Sequence, residues 1–134
     1  MTKASALTRN QQAVLDALAA ADRPLTAYDI LALPRIRKAG LKAPLTIYRA
    51  LDRLVADGLV HRIESLNAFV ACGHGHHDHA TGFLICGDCG RTLEVPLAAC
   101  ESHLAGRARE QGFAIEAVKV EMTGRCPDCA AKSP

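Results

Sequence analysis

The chain has 134 residues, 49% of them hydrophobic, which is enough apolar material for one ordinary domain or two small ones and too much for a disordered segment. It holds no run of ~18 apolar residues and no charged, apolar and cleavable leader, which argues against a membrane span or a secretory signal and leaves the cytoplasm as the expected location. A net charge of +2 names no partner, but residues 1–62 carry ten basic side chains against five acidic ones, so the front half is the part suited to a polyanion.

Thr8-Arg-Asn-Gln11 has the form of a capping box, and Val14, Leu15 and Leu18 follow at helical spacing, which predicts a first helix from about Arg9 to Ala21. Thr26 caps a second helix with Ile30 and Leu33 on one face, ending near Pro34, and Arg35 to Lys42 reads as a basic loop. Pro44 suits the first turn of a third helix. Its apolar stripe is Ile47, Ala50, Leu51, Leu54 and Val55, with Gly58 as the stop. Leu59–Glu64 and Asn67–Cys72 lean toward strands joined at Ser65-Leu66. Three helices and a hairpin form the order of a winged helix-turn-helix.

A glycine- and histidine-rich stretch without apolar periodicity follows, and the composition shift marks a boundary. The expected organisation is a winged-helix domain over 1–74, a hinge over 75–82 and a small α/β domain over 83–134, an α+β fold overall. In the last part, strands are expected at 81–86 and 91–95, a helix from about Leu97 to Gln111 with Leu97, Cys100, Leu104 and Ala108 on one face, and a half-buried strand in which Val118, Val120 and Met122 alternate with polar residues. A domain of roughly 55 residues has a marginal core and needs a metal or a partner copy.

Two cysteine pairs, Cys86-Gly-Asp-Cys89 and Cys126-Pro-Asp-Cys129, carry the most specific chemistry. Each C-x-x-C places two sulfurs on one side of a turn, and two such turns build the S4 tetrahedron that zinc prefers. In an untargeted chain this reads as metal ligation rather than disulfide bonding. On the third helix, Thr46, Tyr48, Arg49, Asp52 and Arg53 lie opposite the apolar stripe. An arginine there can bond a guanine edge and a tyrosine or threonine can pack on a thymine methyl, so the face is suited to double-stranded DNA, the plain alternative being a solvated charged surface.

Pro44-Leu-Thr-Ile-Tyr-Arg-Ala-Leu51, Asp57-Gly-Leu-Val60, the histidine-rich linker and the two C-x-x-C pairs, in that order over nearly the whole chain, resemble the ferric uptake regulator superfamily. The resemblance implies a homodimeric, metal-dependent repressor with an N-terminal winged helix and a C-terminal dimerisation domain. It assigns Tyr48 and Arg49 to the DNA-reading helix and matches Tyr28 to a DNA-contacting tyrosine of the zinc-responsive branch. It also implies a structural zinc on the four thiolates and a sensory zinc on His61, Cys72, His79 and Glu94, about two Zn2+ per monomer.

The thiolate in that sensory set favours zinc over iron or manganese, whose sensors in the family tend toward nitrogen and oxygen shells, although another metal remains the alternative. His76, His77, Asp78, Glu101 and His103 are candidates for a further site, but residues 115–123 offer no histidine to complete it, and Cys100 reads as a small core side chain. An enzyme of the zinc deaminase type is disfavoured. His61 and Glu64 do not form H-x-E, Pro127 lies inside its cysteine pair, and a closed S4 cage leaves no position for water. A zinc-storage or chaperone module built on the linker would have no use for the capped helices or Arg49.

Overall fold

Thr8 opens helix α1 (Arg9–Ala20) with the reciprocal bonds of a capping box: its Oγ1 accepts from the Gln11 N–H, and its own N–H donates to Gln11 Oε1, both at 3.1 Å. Thr26 and Asp29 repeat the device at α2 (Ala27–Leu31), at 3.0 and 3.1 Å. The computed structural model describes residues 6–72, 81–116 and 118–132, which fall into two units, Met1–His76 and His77–Pro134. Among the described residues no helix is long and apolar enough to cross a membrane.

The first unit departs from expectation at Pro34. The proline begins a helix, α3 (Pro34–Lys38), where a basic loop was expected. Its ring pre-sets the helical φ at the first position, and its missing N–H would be unpaired there in any case. Ile36 explains the turn's stability, since it is fully buried among Val14, Ile30 and Leu41 of the core. Among the described residues the first unit therefore has four helices. The fourth, α4 (Pro44–Ala56), buries Ile47, Ala50, Leu51 and Leu54, but Val55 is 38% exposed and lies outside the stripe expected for it.

Gly58, at φ +77°, ends α4: its N–H donates to the Val55 carbonyl at 3.0 Å while Leu59 N–H reaches back to Leu54 at 2.9 Å. Strands β1 (Val60–Ile63) and β2 (Ala68–Ala71) then pair antiparallel, with His61 opposite Val70. Their connection is longer than the two residues expected. A 3-10 turn, Glu64–Leu66, is followed by Asn67 in the left-handed region at φ 49°, which asparagine tolerates better than most residues. Leu25 extends the wing by exchanging two backbone bonds with Phe69, at 3.0 and 2.8 Å.

The second unit holds β3 (Thr81–Cys86), β4 (Thr92–Pro96), α5 (Ala98–Glu110), β5 (Lys119–Gly124) and a short α6 (Pro127–Lys132) that the sequence did not suggest. The sheet order is β4-β3-β5, antiparallel on the first side and parallel on the second. β3 spans the residues expected for it, 81–86, and so overlaps the last two of the hinge expected over 75–82; residues 73–80 lie outside the described ones. Gly82 is there for close packing, since a Cβ on it would sit 2.9 Å from Leu97 Cδ2. Cys100, expected in the core, is exposed, as is Leu104 at 44%. Of the face expected to be apolar, Leu97 is buried and Ala108 half-buried, so its exposed part is the middle.

Replacing the fully buried Leu51 by alanine is expected to cost about 2–5 kcal/mol of stability, whereas Val55→Ala should stay within about 0.5 kcal/mol. Urea unfolding followed by circular dichroism separates the two.

Candidate metal centre and nucleic-acid face

Parallel register is what assembles the cysteines. β3 and β5 run side by side with Cys86 opposite Gly124, so the turn that leaves β3 and the turn that leaves β5 emerge at the same end of the sheet. A bond from Gly87 N–H to the Gly124 carbonyl, 2.8 Å, ties the two exits together. The first turn closes through Gly90 N–H on the Cys86 carbonyl at 3.0 Å, with Gly90 at φ +80°, a conformation that favours glycine. The second runs into α6, where Ala130 N–H bonds the Cys126 carbonyl at 2.8 Å.

The sulfurs of Cys86, Cys89, Cys126 and Cys129 consequently lie within 4.8 Å of one another, and those of Cys89 and Cys126 are 3.8 Å apart. A tetrahedron built on zinc–sulfur bonds of about 2.3 Å has edges of about 3.8 Å, so the donor set fits a thiophilic, tetrahedral ion. Proton sharing among the four thiols is uneven. Backbone hydrogen bonds from Cys126 and then Cys89 lower the Cys86 thiol to about 6, while the side chains of Cys126 and Cys86 push Cys129 up to about 12. A bound ion would displace the remaining protons.

Two ion pairs cross between the thiol turns. Arg125, beside Cys126, pairs with Asp88 inside the first turn at 3.2 Å, and Arg91, just after the first turn, pairs with Asp128 inside the second at 3.7 Å. Both pairs are half exposed or more and individually modest, on the order of 0–1 kcal/mol. Their arrangement matters more than their strength, because each arginine sets positive charge beside a cluster that becomes a dianion when zinc binds four thiolates.

The expected sensory ligands fall in both units. In the first, His61 on β1 and Cys72 just beyond β2 are half-buried and offer ligand atoms within 4.8 Å of each other. Cys72 is held by its N–H on the Leu59 carbonyl at 2.9 Å, a bond that continues the hairpin ladder past its last paired residues. In the second unit, Glu94 is half-buried on β4, opposite Phe83 of β3. His79 lies outside the described residues, as do His76, His77 and Asp78. Glu101 is half-buried and His103 exposed on α5.

On the expected DNA face, Arg49 is exposed near the middle of α4 and Tyr28 is 63% exposed on α2. Thr46 is half-buried, and Tyr48, also half-buried, packs its ring against the core, leaving less of it available than a surface reading implies. Asp52 is exposed, while Arg53 is engaged with Asp57 at 3.3 Å. Sequence reasoning gave no role to Leu45, which is 58% exposed at the first turn of the same helix.

The fold and the sulfur cage define a winged-helix protein with an N-terminal helical DNA-binding domain and a cysteine-rich α/β unit. Comparison with known proteins narrows this class. Residues 3–123 match the ferric uptake regulator family. The zinc uptake regulation protein of Escherichia coli (strain K12) is 35% identical over 124 residues, covering 92% of this chain and 72% of that protein. Its namesake from Mycobacterium tuberculosis is 31% identical over 98 residues, covering 70% and 72%.

Among solved structures, holo XcZur is 42% identical with a TM-score of 0.86, covering 96% of this chain and 89% of that one. A zinc uptake regulator complexed with zinc and DNA is 34% identical with a TM-score of 0.88, covering 95% and 85%. The chain thus belongs to the ferric uptake regulator family, on its zinc uptake branch.

Cys126→Ser should lower the zinc content of the purified protein by one ion per chain and reduce the thermal stability of the second unit, whereas Asp88→Asn should leave the content unchanged. Elemental analysis and a melting curve check both.

Proposed function

We propose that this protein is a zinc-responsive transcriptional repressor that binds DNA as a homodimer and controls zinc uptake genes in the cytoplasm. The observation that carries the reading is the likeness, over 95% of the chain at 34% identity, to a solved zinc uptake regulator complexed with zinc and DNA. In this reading the four-cysteine cage takes one structural zinc, and His61, Cys72, His79 and Glu94 take a second, regulatory one.

The donor chemistry supports that division. Four thiolates close the coordination sphere, which suits an ion that stays bound. A set of two imidazoles, one thiolate and one carboxylate also suits zinc, and the nearness of His61 and Cys72 in the wing supports their acting on one ion. Two of these ligands precede residues 73–80 and Glu94 follows them, so an ion held by all four links the winged-helix domain, residues 1–74, across the 75–82 hinge to the dimerisation domain, residues 83–134. Moving a population from mostly incompetent to mostly DNA-competent needs about 5 kcal/mol of differential affinity, within the range a zinc site supplies.

The second unit supports the homodimer. It leaves Leu84, Leu93 and Met122 at 40–54% exposure on its sheet, and Leu104, Phe113 and Ile115 exposed elsewhere, in a unit too small to leave such surface in water. A second copy covering these residues places two winged helices for two half-sites of a pseudo-palindromic operator. Tyr28, Thr46, Tyr48 and Arg49 are the residues proposed to meet the DNA.

Cys72→Ser is expected to leave the dimer folded and its cage zinc bound while abolishing zinc-dependent retardation of operator DNA; a variant that still responds to buffered free zinc would remove Cys72 from the regulatory site. Arg49→Ala should weaken operator binding about 10–100-fold and relax discrimination against base changes, as expected for the loss of about 1–3 kcal/mol at a base edge. Fluorescence anisotropy with matched and mismatched duplexes measures this.

A further inference from the structure

Between Asp29 and Asp52 the chain holds no acidic residue, but it carries Arg35, Arg37, Lys38, Lys42 and Arg49. Four of these lie on α3 or just after it. Arg35 is already used: its Nη1 donates to the carbonyl of Asp16 at 3.1 Å and so fastens α3 to α1. Arg37, Lys38 and Lys42 are exposed, and among the described residues none of the three forms an ion pair.

A helix favours cations in its last turn because of the carbonyl ends there, and that accounts for Arg37 and Lys38 in part. It does not account for Lys42, which lies beyond the helix, past Gly40 at φ +89° and the buried Leu41, two residues before α4 begins.

The wing is differently provided. Arg62 is the one lysine or arginine in the hairpin, and it is committed within the wing: Nη2 donates to Asn67 Oδ1 at 3.0 Å, and Nε lies 3.7 Å from Glu64 Oε2. The turn it spans carries the acid. An arginine held between an asparagine and a glutamate has little charge left to offer a phosphate, while three unpaired cations stand where the first helix of a helix-turn-helix crosses the DNA backbone.

Resting on the DNA-binding reading above, we infer that Arg37, Lys38 and Lys42 grip the phosphate backbone while α4 reads the bases, and that the wing supplies little of the electrostatic attraction. The α3 end is thus the sequence-independent anchor of the complex. Losing it weakens every duplex alike, because phosphate contacts carry no base information.

The test uses the full-length, zinc-loaded protein with an A/T-rich palindromic duplex and a scrambled duplex of equal length, measuring affinity across a range of salt concentrations. Arg37→Gln and Lys38→Gln are each expected to weaken both duplexes by the same factor. Each should also flatten the slope of log affinity against log salt by about one per bound protomer. Arg62→Gln should leave the slope as it is, and Arg37→Lys should restore it, which separates lost charge from a damaged fold.

An unchanged slope in the Arg37→Gln/Lys38→Gln double variant, with the unmodified protein still binding the palindrome, overturns the inference and leaves the DNA-binding reading standing. A flattened slope in Arg62→Gln overturns the part assigned to the wing. Failure of the unmodified protein to bind either duplex overturns both readings.

Discussion

The parallel pairing of β3 with β5 is the constraint on which the second unit depends. Parallel strands cannot be joined by a tight turn; the chain must leave β3, travel through β4 and α5, and return in the same direction. That return brings a second thiol turn beside the first. Were β5 antiparallel to β3, the turn leaving it would lie at the opposite end of the strands, away from the turn that leaves β3. The bond between Gly87 and Gly124 and the two crossed ion pairs hold the exits together at the level of backbone and charge, so the sulfurs converge through the fold itself.

The first unit is organised by a different economy, in which backbone ends and charges are each given a partner or deliberately left without one. Both threonine caps satisfy their helix N-termini reciprocally, and Arg35 and Arg62 are engaged within the unit. Of the basic side chains left over among the described residues, Arg37, Lys38 and Lys42 lie near α3 and Arg49 on α4, with Arg9 and Arg23 elsewhere. A surface whose cations are sorted in this way differs from one whose net charge is merely positive, since the unpaired ones require no rearrangement before meeting an anion.

Much of this was legible in the sequence where a local rule has a single meaning. Thr8 with Gln11 and Thr26 with Asp29 announce helix starts, Gly58 announces a stop, and two C-x-x-C pairs announce a cage. Residues with two meanings are less legible. Pro34 both ends helices and begins them, and only the burial of Ile36, decided by residues distant in sequence, shows which applies. Gly82 fits both the strand expected at 81–86 and the glycine-rich stretch before it, and its packing against Leu97 is what the sequence leaves open. Cys100 was expected in the core because its helix has an apolar side, but of that side Leu97 is buried while Cys100 and Leu104 are exposed. His61 and Cys72 could be brought together only by the hairpin register, which no spacing rule supplies.

The turns at Cys86 and Cys126 lie roughly 40 residues apart along the chain, and β4, α5 and β5 are threaded between them. An ion gripping both turns makes that stretch a closed ring. In its effect on chain entropy the ring is comparable to one sealed by a disulfide, for which a loop of this length corresponds to about 4 kcal/mol when the unfolded chain keeps its cross-link. The distinction is chemical. A disulfide needs an oxidant to form and is undone where thiols are kept reduced, whereas this closure uses the thiolates as they are and is undone by a competing chelator.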